Sequence, residues 1–111
     1  MHAFKNRVQL IGNLGSKPDI KKTENGKKLA QFSVATSENF RNSKGEAIKE
    51  TQWHRAVAWG KVAEVAEKFL DKGKAVAIEG KLVSRSYNDK EGNKKYISEV
   101  QVNEILLLGG K

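Results

Sequence analysis

Residues 51–73 read TQWHRAVAWGKVAEVAEKFLDKG. The first half has the character of a β-strand, and it holds both tryptophans of the chain, Trp53 and Trp59. Residues an even number apart in a regular strand point to the same side, so Trp53, Arg55, Val57 and Trp59 share one face. Gln52, His54, Ala56, Ala58 and Gly60 share the other, and their small side chains suit close packing inside a narrow barrel or against another subunit. The second half changes period. Val62, Ala63, Val65, Ala66, Phe69 and Leu70 form an apolar stripe at helical spacing, the only clear helix of the chain. Gly73 is its expected stop, with Lys72 suited to the last turn.

The segments on either side read as strands. Residues 4–15, FKNRVQLIGNLG, alternate Val8, Leu10 and Leu14 with Arg7, Gln9 and Asn13, and Gly12 marks a bend or bulge. Beyond Pro18, Asn25-Gly26 predicts a tight hairpin. The strand after it sets Ala30, Phe32, Val34 and Thr36 on one face. Residues 38–50, ENFRNSKGEAIKE, read as a long loop or an extended hairpin tip with Phe40 exposed. After the helix, residues 74–110 read as two long strands joined by the polar turn NDKEGN. Val76, Ile78 and Leu82 lie on one face of the first of these, and Lys81, Val83, Arg85 and Tyr87 on the other. The order strand, strand, strand, helix, strand, strand fits an all-β fold, a five-stranded Greek-key barrel with one helix between strands 3 and 4, the OB-fold. A roll of strands with an isolated helix fits the same order. The 111 residues suit one domain, 1–111.

Composition narrows the function. With no cysteine and two histidines, His2 and His54, disulfides, thiol chemistry and the common zinc sites are not expected. No cofactor is implied. No apolar run approaches a membrane span, and the N-terminus lacks a signal-peptide pattern, so a cytoplasmic protein without a membrane partner is expected. The net charge of +8 points toward a polyanion, nucleic acid before membrane.

The tryptophan face could simply pack a core. An arginine between two tryptophans argues against this, because an unpaired buried charge is expensive. On a solvent-facing surface, Trp53 and Trp59 offer rings for bases and Arg55 a partner for phosphate. Arg85 and Tyr87, with Lys81, repeat the aromatic-plus-basic pattern, and Phe40-Arg41 repeats it again. Single-strand binders without sequence preference need this combination, each stacked base contributing about 1–3 kcal/mol. His54, opposite the tryptophans, reads as a hydrogen-bonded structural or interface residue rather than a catalytic base.

These stretches, NRVQLIGNLGSKPD, FSVATSENFR, TQWHRAVAWGKVAEVAEKFLDKG and AIEGKLVSRSYNDKEGNKKYISEV, occur in one order over residues 4–110. Together they resemble the bacterial-type single-stranded DNA-binding protein family. The resemblance implies an OB barrel, a homotetramer with dihedral symmetry, and a non-enzymatic, sequence-independent role in DNA replication, recombination and repair. It implies base stacking by Phe40, Trp53, Trp59 and Tyr87. It implies phosphate contacts by Arg7, Arg41, Arg55, Lys61, Lys72 and Arg85, with Lys44 and Lys49 placed less firmly in a loop of variable length. His54 falls near a subunit interface. Phe40 and Tyr87 stand where relatives often carry tryptophan, and Val83 where a basic residue is common. The chain closes on Gly109-Gly110-Lys111 without the acidic tip through which relatives recruit replication and repair proteins, so such partners are expected only where a longer chain carries that tail. An RNA-preferring or primosomal accessory OB protein is the alternative reading. A nuclease and a protein-interaction barrel are the more distant ones.

Overall fold

The computed structural model describes residues 6–108. Phe4 and Lys5 of the expected first strand, His2, and the closing Gly109–Lys111 lie outside the described residues. The elements run β1 (Val8–Leu14), β2 (Asp19–Lys22), β3 (Lys28–Arg41), β4 (Ala47–Trp59), α1 (Gly60–Phe69), β5 (Ala75–Asn88) and β6 (Lys94–Leu107).

Hydrogen bonding carries the sheet in the order β1-β5-β6-β4-β3, and β3 returns to β1 through Asn13 opposite Ala35 and Leu14 opposite Val34. Five strands therefore close on themselves, with β4 and β6 the one parallel pair among the described residues, Ala56 beside Val100 and Val57 beside Gln101. This is the expected OB barrel with its helix between the two halves of the strand order. The additional strand, β2, is the short first arm of the hairpin that Asn25-Gly26 predicts, paired with β3 from Asp19–Gln31 to Lys22–Lys28.

The barrel interior takes one residue in two from each strand. Leu14, Ala30, Phe32, Val34, Ala56, Ala58, Val76, Ile78, Val100 and Val102 are all buried. Small residues on β4 keep this interior narrow, as the alternation anticipated. Where β1 crosses β3 the backbones nearly touch. A Cβ at position 12 would lie 2.0 Å from the Ala35 carbonyl oxygen, so Gly12 marks a close backbone approach rather than a loose bend.

The helix is shorter than its sequence pattern. It ends at Phe69, Leu70 is already extended, and Lys68 rather than Lys72 is the basic residue of the last turn. Ala63, Ala66 and Leu70 plug the barrel end, but Val65 and Phe69 face outward. Val62 is partly buried against the same core, so one side of the apolar stripe is used and the other is left to solvent. Trp59 is extended and Gly60 takes φ +61°, so the chain turns from strand into helix without a linker. The segment 38–50 is an extended hairpin: β3 and β4 stay paired out to Arg41 opposite Ala47. Leu82, assigned by alternation to the core side with Ile78, is exposed, because β5 has by then left the barrel.

Candidate nucleic-acid interface

The pairing of β3 with β4 runs without a break from Arg41–Ala47 to Leu29–Trp59. Trp59 therefore keeps regular strand geometry to the last residue before the helix, and the even spacing from Trp53 places both rings on the outer face. Trp53 is 62% exposed and Trp59 39%. Their surroundings differ. The Trp53 ring lies over Gly15, where a Cβ would come within 2.5 Å of it, and Ser33 lies beside the same point. Trp59 borders a recess of about 440 Å³ with Thr23, Asn25, Lys27 and Gln101, and the Lys27 ammonium sits 6.0 Å from its ring centre. A cation at this distance over an indole face is a favourable electrostatic contact.

Arg55 and Val57 occupy the stretch between the tryptophans. They line a groove of about 240 Å³ together with Ser16, Gln31, Ser33 and Glu99. Val57 is buried at its floor. Arg55 is exposed, and its Nε lies 3.8 Å from Glu99 Oε2. On the other side of β6, Arg85 donates from Nε to Glu99 Oε1 at 2.9 Å. Register across β4, β6 and β5 thus makes one continuous outer face carrying Trp53, Arg55, Trp59, Arg85 and Tyr87. The sequence-predicted aromatics and arginines of two separate segments, one on β4 and one on β5, meet there.

The remaining predicted positions are more scattered. Phe40 pairs across the β3–β4 arm with Ile48, on the side that also carries the facing pair Glu38 and Glu50. Arg41 and Lys49 alternate onto the other side, the one that leads back to Trp53. Arg41 donates from Nη1 to the Gly45 carbonyl at 2.8 Å, which ties it into its own turn, and Lys44 lies in that turn. Arg7 is engaged with Glu79 at 2.6 Å. Lys61 is exposed at the start of α1. Lys72 follows the helix in a loop bound to the end of β1, through Gly73 N–H to Leu14 O at 2.9 Å and Leu14 N–H to Lys74 O at 3.0 Å. His54, half-buried, shares a 2.9 Å hydrogen bond with the Thr36 hydroxyl, in keeping with a structural histidine.

Residues 5–108 match the Single-strand binding protein family. The chain belongs to that family. It is 45% identical over 107 residues to Single-stranded DNA-binding protein 1 of Chlorobaculum tepidum, covering 96% of this chain and 66% of the relative. It is 43% identical over 107 residues to Single-stranded DNA-binding protein 1 of Xylella fastidiosa, covering 96% of this chain and 79% of the relative. Among solved structures it resembles a Plasmodium falciparum SSB in complex with ssDNA, with a TM-score of 0.86, 32% identity and 96% of both chains covered.

Three features of this single-strand binding family member escaped the sequence reading. Glu99 alternates onto the outer face beside Gln101, a signal present in EVQV, yet it is only 5% exposed because two arginines cover it. Tyr96 is 72% exposed on the β5–β6 arm with the Lys94 ammonium 5.9 Å from its ring, on the side of the ribbon away from Tyr87. Lys27, one of several paired turn lysines, gains its place over Trp59 only through the fold.

Proposed function

We propose that this chain binds single-stranded DNA without reading its sequence, and acts in replication, recombination and repair as a coating protein rather than an enzyme. The observation that carries this is the groove on the outer barrel face, with a tryptophan toward each end and Arg55 between them. Exposed indoles take bases, the guanidinium takes phosphate, and neither distinguishes one base from another. A barrel face across the second and third long strands is also where OB-folds receive oligonucleotides. Trp53, Trp59 and Tyr87 are the proposed stacking residues on this face, with Arg55 and Arg85 at phosphates. Arg41, Lys44 and Lys49 extend the path along the β3–β4 arm, Phe40 offers a further stacking ring on the arm's other side, and Arg7, Lys61 and Lys72 lie outside the groove as secondary phosphate contacts.

Titration with oligo(dT) at low salt tests this directly. Tryptophan fluorescence is expected to be quenched, binding is expected to weaken as salt rises, and labelled strands held with magnesium are expected to stay intact. Absence of both quenching and binding rejects the reading. An equal titration with an RNA oligomer separates it from an RNA-preferring protein.

Self-association accompanies this reading. Among the described residues, Val8–Gly12 of β1 pair with β5 on one side only, and Ile11, 69% exposed, lies with Leu106 on an apolar patch of the outer face. An open strand edge beside an apolar patch favours pairing with another copy. A homotetramer, with His54 near a subunit contact, is the assembly we propose.

A further inference from the structure

The groove is lined by two acids. Asp19 is exposed and 3.9 Å from Lys21. Glu99 is buried, and on a surface proposed to meet phosphate a buried acid needs a reason. Its Oε1 accepts from Arg85 Nε at 2.9 Å, while Oε2 is buried with no hydrogen-bond partner and faces Arg55 Nε at 3.8 Å. The two arginine side chains are themselves half-exposed, at 55% and 50%. In each arginine it is Nε that approaches Glu99, and the half-exposed guanidinium still has terminal N–H groups to offer a ligand. We infer that Glu99 is a positioning residue for single-stranded DNA, whose buried carboxylate holds Arg55 and Arg85 side by side at the groove as a preformed phosphate clamp.

This rests on the single-stranded DNA reading above and deepens it. Two neighbouring guanidiniums repel each other, and ordering two long side chains at the moment of binding costs affinity. A carboxylate between them offsets the repulsion and fixes the geometry beforehand, and the trio keeps one positive charge in surplus. The orphaned Oε2 leaves Arg55 the looser of the two.

Glu99→Gln separates this role from simple charge. The variant gains a positive charge, so charge counting alone expects tighter DNA binding and a steeper salt dependence. A positioning role expects the reverse: oligo(dT) affinity about tenfold lower, as a charge-assisted contact is lost, and a salt slope shallower by about 0.7 for each phosphate contact released. The affinity loss is also expected to vanish when Arg55 and Arg85 are both alanine. Tighter or unchanged binding by Glu99→Gln overturns the inference, as does a loss that persists without the arginines. Should Glu99→Gln fail to fold, the cycle of Arg55→Ala, Arg85→Ala and the double variant decides. Without Arg85 the carboxylate captures Arg55, so the two losses are expected to be non-additive, and additive losses overturn the inference. If the unaltered protein does not bind oligo(dT), the functional reading falls and takes this inference with it. Normal binding by the unaltered protein with a contrary result from the variants removes the inference alone.

Discussion

At the scale of single residues, the outer face separates side chains that hold the barrel from those proposed to hold a ligand. Trp53 is largely exposed and contributes little to the core. Trp53→Ala is expected to leave the melting temperature nearly unchanged while weakening oligo(dT) binding by about 1–3 kcal/mol, the range for one stacked base. A large loss of stability with unchanged binding would refute the assignment. Gly12→Ala is expected to do the opposite. Its Cβ would meet a carbonyl oxygen at 2.0 Å, and that oxygen belongs to the paired backbone of β3 and has no room to retreat. A loss of about 3 kcal/mol in denaturant unfolding is expected. Gly15 differs again, because its added methyl would meet the far edge of the Trp53 ring, which can swing aside. The crowding falls on the ring rather than on the backbone.

At the scale of elements, the sequence was informative where alternation is strict and uninformative where tertiary contact decides. The Trp53–Trp59 parity could be read in advance because β4 pairs with β3 in unbroken register. The used part of the helix stripe could not, since it depends on contact with the barrel, which leaves Val65 and Phe69 exposed. Phe40 was legible as an exposed aromatic of this segment, but the side of the arm it takes depends on β3 and β4 staying paired beyond the barrel. It faces Ile48 on the side of the arm that carries Glu38 and Glu50. Phe40→Ala is therefore expected to weaken DNA binding less than Trp53→Ala does, a comparison made with the same oligomer at the same salt. The helix is tied to β3 by Lys28 and Glu67, 2.5 Å apart. This hydrogen bond holds the Glu67 carboxyl below the usual glutamate range and the Lys28 ammonium above the usual lysine range. The lowered carboxyl adds stability above the usual glutamate pKa that is lost as pH falls through the lowered value. The raised ammonium adds stability below the usual lysine pKa that is lost as pH rises through the raised value. The difference in melting temperature between the protein and Glu67→Gln is thus expected to be level from about pH 6 to about pH 9 and to shrink below about pH 4. A difference that grows on acidification would show that the pair does not act this way.

At the scale of the whole molecule, one groove explains contact with a few nucleotides but not a firm hold on a long strand. Repetition would supply that hold. Copies joined through the open β1 edge and the Ile11–Leu106 patch would present several basic faces to one strand, and each further contact becomes intramolecular once the first is made. The net charge of +8 per chain helps any such assembly draw in the strand, at the expense of repulsion between copies that the apolar contact must outweigh. Light scattering is expected to give a mass near four times the 12.3 kDa of one chain. Ile11→Lys places a charge in the patch without touching the groove, so a smaller mass is expected with short-oligomer binding preserved. Affinity for a long strand is expected to fall by a factor on the order of 10² or more as the linked sites separate. If Ile11→Lys lowers the mass but long and short strands still bind as before, the assembly is incidental to the grip. If the mass does not change, the patch is not the contact between copies.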